Sequence, residues 1–263
     1  MMRLDLLLTE KGYYSSRSKA AQAIKRGSVA VNGETASKPS AETDESAAIT
    51  IKSEKSFVSM GGYKLDKAFD DFALDVSGET FADLGASTGG FTDVLLQRGA
   101  KKVYCVDVGE GLLDPKIAGD KRVVDMSRVN ARLLTAKDFS ETIDGAVIDC
   151  SFISLKLILP AAKSIIKEGG KIVALVKPQF ECGADKLGKS GILLGAPRQR
   201  AVISDIFDYC AAAGLCVMDF THAPIKKKKN IEYLLLLSTA GESLIKTEVL
   251  KRVDFACSAE GEK

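Results

Sequence analysis

Asp83, Asp107, Asp149 and Lys177 each stand at or next to the end of a short apolar run, and the runs recur along one stretch of chain. The first run, Thr80-Phe81-Ala82-Asp83-Leu84, leads into a small-residue turn, Gly85-Ala86-Ser87-Thr88-Gly89-Gly90, and then into Phe91-Thr92-Asp93-Val94-Leu95-Leu96. That order reads as strand, tight loop and helix. Gly85, Gly89 and Gly90 let the backbone approach a ligand, and the N–H groups that open the helix face it. Asp107 lies about 24 residues beyond Asp83, where an acid ending the second strand of a βαβ unit accepts hydrogen bonds from ribose hydroxyls. The loop reads G-x-x-x-G-G and lacks the inner glycine of the dinucleotide fingerprint G-x-G-x-x-G. It suits a nucleoside without a pyrophosphate, which sets aside an NAD-linked oxidoreductase. S-adenosylmethionine is the candidate, with Asp83, Gly85, Ser87, Thr88, Gly89, Gly90, Phe91 and Asp107 as its expected contacts. Asp125, in a third run Arg122–Met126, is expected on the adenine side.

These residues need a frame that brings strand ends together. Gly61 to Phe72 opens it as a helix with Leu65, Ala68, Phe69 and Phe72 on one face. The fourth strand is expected over Asp144–Ile153, then an amphipathic helix through Leu155, Ile158, Leu159, Ala162 and Ile166. Gly169-Gly170 turns into a fifth strand, Ile172–Lys177, stopped by Pro178. Glu181 to Pro197 contains four glycines and two lysines and reads as a loop over the strand ends. A helix from Arg198 to Ala213, strands over Leu215–Thr221 and Glu232–Ser238, and a helical tail over Glu242–Phe255 complete the pattern. Alternating strands and helices imply an α/β fold, a doubly wound, mostly parallel sheet of seven strands with ligands at the strand C-termini. One charged residue ending a strand is a solvated terminus; four on successive strands make a site.

Composition narrows the remaining classes. At 263 residues and 46% hydrophobic content, the chain has room for one large α/β domain and a small module. No run reaches the roughly 18 apolar residues of a membrane span, and Met1-Met2-Arg3-Leu4-Asp5 lacks a signal-peptide core. Six cysteines without a C-x-x-C pair, and a single histidine, His222, argue against a zinc site and a disulfide framework. A reduced cytoplasm is the expected location. With a net charge of +2, any nucleic-acid surface is local.

Such a surface is expected near the start of the chain. Residues 1–33 carry six Lys/Arg against two acids. Ser15 and Ser16 are candidate caps for a helix with Ala20, Ala21, Ala23 and Ile24, stopped by Gly27. Val29-Ala30-Val31 reads as a strand before the turn Asn32-Gly33. Arg17, Lys25 and Arg26 edge the helix and its exit, which suits a phosphate backbone, although charge alone favours a solvated helix face. Ala48 to Ile51 closes the module as a strand, and Ser53 to Met60 reads as a linker.

Arg3-Leu4-Asp5, Ser16-Arg17, Ala20, Ile24, Gly27 to Gly33 and Lys38-Pro39 together resemble the RNA-binding domain of ribosomal protein S-four, across most of residues 2–51. That resemblance implies that Arg3, Arg17, Lys25 and Arg26 contact structured RNA. Further on, Gly61-Gly62-x-Lys64-Leu65, the Asp83–Thr92 stretch, Asp149-Cys150-Ser151-Phe152-Ile153-Ser154, Lys177-Pro178-Gln179-Phe180-Glu181 and Asn230-Ile231-Glu232-Tyr233-Leu234 stand in a recognisable order. The chain is similar to TlyA/haemolysin A-type rRNA 2′-O-methyltransferases over nearly its whole length. The resemblance implies an S-four-like RNA-binding domain and linker over 1–59 and a Rossmann-like, S-adenosylmethionine-dependent FtsJ/RrmJ-like methyltransferase domain over 60–263. It implies ribose methylation, typically of cytidine, in ribosomal RNA; from the residues themselves no metal is expected. The related ribose methyltransferases use a Lys-Asp-Lys-Glu tetrad, which falls here on Lys64, Asp149, Lys177 and Glu232.

Three places depart from the family pattern. Met60 stands where arginine is usual, Ala184 where a basic residue is common, and Lys226-Lys227-Lys228-Lys229 replaces a glycine-containing turn. Four adjacent lysines repel one another unless a polyanion neutralises them, so they are expected to face RNA. A free lysine has a pKa of about 10.4, and neighbouring cations favour its neutral form. Lys177 is therefore the expected general base, with Asp149 and Glu232 orienting the lysines and the hydroxyl. Two alternatives stay open: an inactive fold kept as an RNA-binding or assembly factor, and the haemolytic activity in the family's name.

Overall fold

The computed structural model describes residues 1–25, 27–51, 56–183, 186–188, 190–225 and 229–261. The chain divides into two compact units, Met1–Ser56 and Phe57–Lys263.

In the first unit, β1 (Met2–Arg3) leads into α1 (Leu4–Glu10), followed by α2 (Arg17–Lys25), β2 (Val29–Val31), β3 (Glu34–Thr35), β4 (Glu42–Thr43) and β5 (Ile49–Ile51). Ser16 caps α2, its Oγ accepting from Lys19 N–H at 3.3 Å. The Asn32-Gly33 turn takes φ of 51° and 87°, the left-handed pair a two-residue hairpin requires, and joins β2 to β3. Leu4, Leu8, Ala20, Ala23, Ile24 and Val29 form its core.

In the second unit, α3 (Met60–Asp71) precedes β6 (Thr80–Leu84), α4 (Gly90–Gln97), β7 (Lys102–Asp107), α5 (Pro115–Ala118), β8 (Val123–Ser127) and β9 (Ile143–Ile148). Then come α6 (Leu159–Ile165), β10 (Ile166–Val176), α7 (Pro178–Glu181), α8 (Ala196–Ala212), β11 (Cys216–His222), β12 (Tyr233–Ser238) and α9 (Lys246–Gly261). The sheet order is β11-β12-β10-β9-β6-β7-β8, parallel except for β12, which runs antiparallel to both neighbours. Helices cover both faces, so the central strands are apolar on both sides. On β10, Ile172, Ala174 and Val176 enter one core while Val173 and Leu175 enter the other. Each fully buried leucine or phenylalanine in these layers contributes about 1.5–3 kcal/mol.

Several boundaries differ from the sequence reading. The fourth strand stops at Ile148, not Ile153. Asp149 N–H still bonds Leu84 carbonyl at 3.0 Å, but Phe152 then takes φ of 62°, which no strand continues. The following segment begins as a tight 3₁₀ turn, Leu155–Leu157, before α6. Pro160 sits in the first turn of α6, where its missing N–H costs nothing. Ile166 opens β10 instead of extending the helix face. Residues 57–60 are part of the second unit: Phe57 and Val58 pack on its core, and Ser59 caps α3 by accepting from Gly61 N–H at 3.2 Å. The tail helix starts at Lys246 and runs past Phe255. Ala184 lies outside the described residues. Among them, no helix is long and apolar enough to cross a membrane.

Candidate active site

A cavity of about 440 Å³ opens beyond the C-terminal ends of β6, β7 and β9, lined by Gly85, Ser87, Asp107, Asn130, Arg132 and Asp149 with apolar walls from Val106, Leu112, Ile153 and Ile158. Gly85 carries φ of 86°, and a Cβ there would stand 3.1 Å from the Asp149 backbone. The Asp107 carboxylate is fixed from two sides: Oδ2 accepts from Ser87 N–H at 2.9 Å and Oδ1 from Gly109 N–H at 2.8 Å. Each oxygen keeps a lone pair for a ligand. A rigid acid within apolar walls, at this volume, fits a nucleoside: hydroxyls on the carboxylate, base against the walls.

A second cavity of about 300 Å³ shares Gly85, Ser87, Asp149 and Ser151 with the first and adds Lys64, Thr88, Gly90, Phe91 and Lys177. Here the strand ends deliver their charges. Lys177 caps α7 immediately after β10 and is 7% exposed. Its Nζ lies 2.5 Å from Asp149 Oδ1, donates to Ser151 Oγ at 2.7 Å, and reaches the Asp149 carbonyl at 3.3 Å. Lys64, on the first turns of α3, pairs with Glu232 Oε2 at 2.5 Å. Val176 and Tyr233 are register partners, which brings Glu232 to the same edge as Lys177. The four charges thus come together as two ion pairs with no net charge. Burial pushes the Asp149 carboxyl up, opposed by the charges of Lys177 and Lys64. A third cavity, about 420 Å³, adjoins through Met60 and Lys64 and is lined by Tyr63, Gln179, Lys229 and Glu232.

Three expected cofactor contacts line none of these cavities. Asp83 shares the face of Phe81, beneath α4; it is fully buried, and its Oδ2 accepts from Thr92 Oγ1 at 2.7 Å. It lines none of the three cavities. Burial pushes its carboxyl up to about 7; Thr92 opposes this, and the Asp149 and Asp107 charges add to it. Asp125 sits mid-strand on β8, exposed, accepting from Ser127 N–H and Oγ at 2.9 and 2.6 Å, and lines none of them either. Gly89 is the left-handed N-cap of α4, where a Cβ would lie 2.9 Å from Ile117; it supports the loop without lining a cavity.

Asn130, Arg132 and Ser151 line the first cavity without having been singled out from sequence. Asn130 Oδ1 caps the short turn that carries Arg132, accepting its N–H at 3.1 Å. For Asn130 and Arg132 the sequence signal was a capping asparagine in an unpatterned loop, whereas Ser151 stood within the Asp149–Ser154 motif. Glu181 ties together the loops that follow Asp149 and Lys177, accepting from Ser154 Oγ at 2.6 Å and from Leu155 N–H at 2.8 Å. Among the described residues no cluster of His, Cys, Asp or Glu could hold a metal ion. Cys150 beside the site is pushed up to about 12 by burial and by Asp149, so it stays a thiol.

In the first unit, Arg3 and Arg17 both pair with the buried Asp5, at 2.9 and 3.3 Å, while keeping 44% and 52% of their side chains exposed. Hydrogen bonds from Arg3 above all hold the Asp5 carboxyl down to about 2. Lys25 is exposed at the end of α2. Arg26, Lys226, Lys227 and Lys228 lie outside the described residues; Lys229 is exposed beside the third cavity.

Residues 57–239 match the FtsJ-like methyltransferase family, and residues 2–48 match the S4 domain. The 16S/23S rRNA (cytidine-2′-O)-methyltransferase TlyA of Mycobacterium tuberculosis is 36% identical over 262 residues, covering 98% of this chain and 98% of that protein. Hemolysin A of Brachyspira hyodysenteriae is 38% identical over 238 residues, covering 89% of this chain and 98% of that protein. A solved structure from Streptococcus thermophilus that also carries the hemolysin name is 38% identical with a TM-score of 0.74, covering 99% of this chain and 96% of that one.

Proposed function

The chain belongs to the FtsJ-like methyltransferase family and carries an S4 domain, and on that premise we propose that it methylates the 2′-hydroxyl of a cytidine ribose in ribosomal RNA, in the cytoplasm, with S-adenosylmethionine as donor. The observation that carries this reading is the buried Lys177, paired with Asp149 where the first two cavities meet, with Lys64–Glu232 across from it. S-adenosylmethionine, when bound, supplies a methyl group on a sulfonium, an excellent leaving group. Asp107 would hold its ribose hydroxyls, and the Gly85–Phe91 loop its amino-acid end.

The protein's own task is then positioning and the removal of one proton. A ribose hydroxyl is a weak nucleophile at neutral pH, and a nearby amine supplies the base. Lys177 takes that proton as the neutral amine, and Asp149 stabilises the ammonium that results. Glu232 holds Lys64 toward the hydroxyl and the adjacent phosphate. The names of relatives support ribosomal RNA and cytidine; the S4 match and the exposed Arg3, Arg17 and Lys25 support RNA capture.

The test incubates the protein with S-adenosylmethionine and either deproteinised ribosomal RNA or ribosomal subunits from cells lacking it, and maps the product by mass spectrometry. A methyl on a cytidine 2′-oxygen is the expected result. A methyl on a base, or no transfer to either substrate, overturns the reading.

A further inference from the structure

Lys177 is largely buried at the edge of the second cavity. Lys177 is 7% exposed, and three oxygens surround its amine: Asp149 Oδ1 at 2.5 Å, Ser151 Oγ at 2.7 Å and the Asp149 carbonyl at 3.3 Å. The contacts to Ser151 Oγ and the Asp149 carbonyl are hydrogen bonds, and Asp149 Oδ1 is the ion-pair partner of the ammonium. Two of the three cannot pass a proton onward usefully: the carbonyl only accepts, and the carboxylate is the counter-charge. The third is a hydroxyl, which donates and accepts at once. Ser151 is also the exposed member of the group, and it lines both the nucleoside-sized cavity and the cavity at the ion pairs. Its own proton is committed to no acceptor among the described residues.

We infer that Ser151 is a catalytic residue that relays the substrate proton to Lys177. The inference rests on the proposed reaction at Lys177 and specifies its path. With the amine neutral, Ser151 O–H donates to Nζ and the ribose 2′-hydroxyl donates to Ser151 Oγ. During transfer the 2′-proton moves to Ser151 Oγ while the Ser151 proton moves to Nζ. The 2′-oxygen forms its bond to the methyl carbon, the carbon–sulfur bond breaks, and its electron pair leaves on sulfur. Afterwards Nζ is an ammonium donating to Ser151 Oγ, which is the arrangement seen here. Asp149 cannot substitute for Ser151, because a carboxylate facing a neutral amine has no proton to give.

Single-turnover methyl transfer to the ribosomal RNA and subunits described above tests the relay. Ser151→Ala should lose about a hundredfold or more in rate, the scale of general acid–base catalysis. Calorimetric affinity for S-adenosylmethionine should stay within about twofold, since no cofactor charge is paired through this hydroxyl. Ser151→Thr, which keeps the hydroxyl, should recover most of the rate. In the Lys177→Ala background, Ser151→Ala should cost nothing further, because both act on one proton. Two protons in flight also predict a bowed dependence of the wild-type rate on the fraction of heavy water. A linear dependence overturns the relay even if the alanine variant fails to fold, and so does an alanine rate within about threefold of wild type, below what loss of a proton relay costs. Those outcomes differ from failure of the proposed reaction, in which the wild type itself transfers no methyl to ribose or Lys177→Ala stays active.

Discussion

Asp83 and Asp107 end neighbouring parallel strands, and their surroundings divide them. Asp107 faces the cavity with both oxygens held by backbone N–H groups; Asp83 faces Thr92 in the core. Asp107→Ala would remove charge-assisted hydrogen bonds of about 1.5–3 kcal/mol, and calorimetry should show S-adenosylmethionine affinity falling about ten- to a hundredfold. Asp83, buried beneath α4, is expected to act on stability. Its folded pKa is raised from 3.8 to about 7, so the native state holds a proton that the unfolded chain has lost between those values. Stability should therefore fall as pH rises through that window, by at most about 1.4 kcal/mol per pH unit. Asp83→Asn mimics the protonated form and should flatten that slope in urea melts at pH 4.5 and 7. Lys177→Arg keeps the charge but cannot act as a base, so turnover should be nearly abolished while cofactor affinity holds. Near-normal turnover in that variant would reduce Lys177 to a source of charge.

At the scale of elements, the site depends on α3 lying close against the loop that opens α4. A Cβ on Gly90 would stand 2.0 Å from Ser59 Oγ, the cap of α3, and 3.2 Å from the Gly62 nitrogen. Gly90→Ala should cost about 1–3 kcal/mol in thermal or denaturant melts, as overpacking does. It should also lower turnover, because Lys64 moves with the start of α3. Asp93 adds to the same joint from inside α4: it is 1% exposed and accepts from Val58 N–H at 2.9 Å. The two loops carrying Asp149 and Lys177 are joined through Glu181, whose carboxyl burial pushes up against its bonds to Ser154 and Leu155.

Across the whole molecule, each unit has its own core: Leu4, Leu8 and Ile24 in one, the two layers flanking the sheet in the other. Deleting residues 1–56 should therefore leave cofactor affinity within about twofold, since a domain with its own core folds alone. RNA affinity should fall, and its dependence on salt should flatten by about 0.7–0.9 in log–log slope for each phosphate contact removed. Filter binding across a salt series measures both. An unchanged Michaelis constant for ribosomal RNA in the shortened protein would mean that the first unit does not read substrate. Asp5 sharpens this expectation, because it holds Arg3 and Arg17 side by side with their outer faces free.

The sequence by itself determined the alternation of strands and helices, the glycine loop between β6 and α4, and the strand ends at which Asp107, Asp149 and Lys177 gather. Those follow from local chemistry: apolar periodicity, glycine at positive φ, and proline just after the last strand residue. Only the tertiary structure decided what each of those residues faces. The two-residue period of a strand says that Asp83 lies on the Phe81 face, but not that α4 seals that face. It cannot say where β9 stops, because the left-handed turn at Phe152 is taken by a residue with no turn signature. Asn130 and Arg132 reach the first cavity only because β8 pairs beside β7 and returns its loop to the same edge. The pairing of Lys177 with Asp149 and of Lys64 with Glu232 was also beyond the sequence. Partners separated by 28 to more than 160 positions meet through sheet order and register, which are properties of the folded chain.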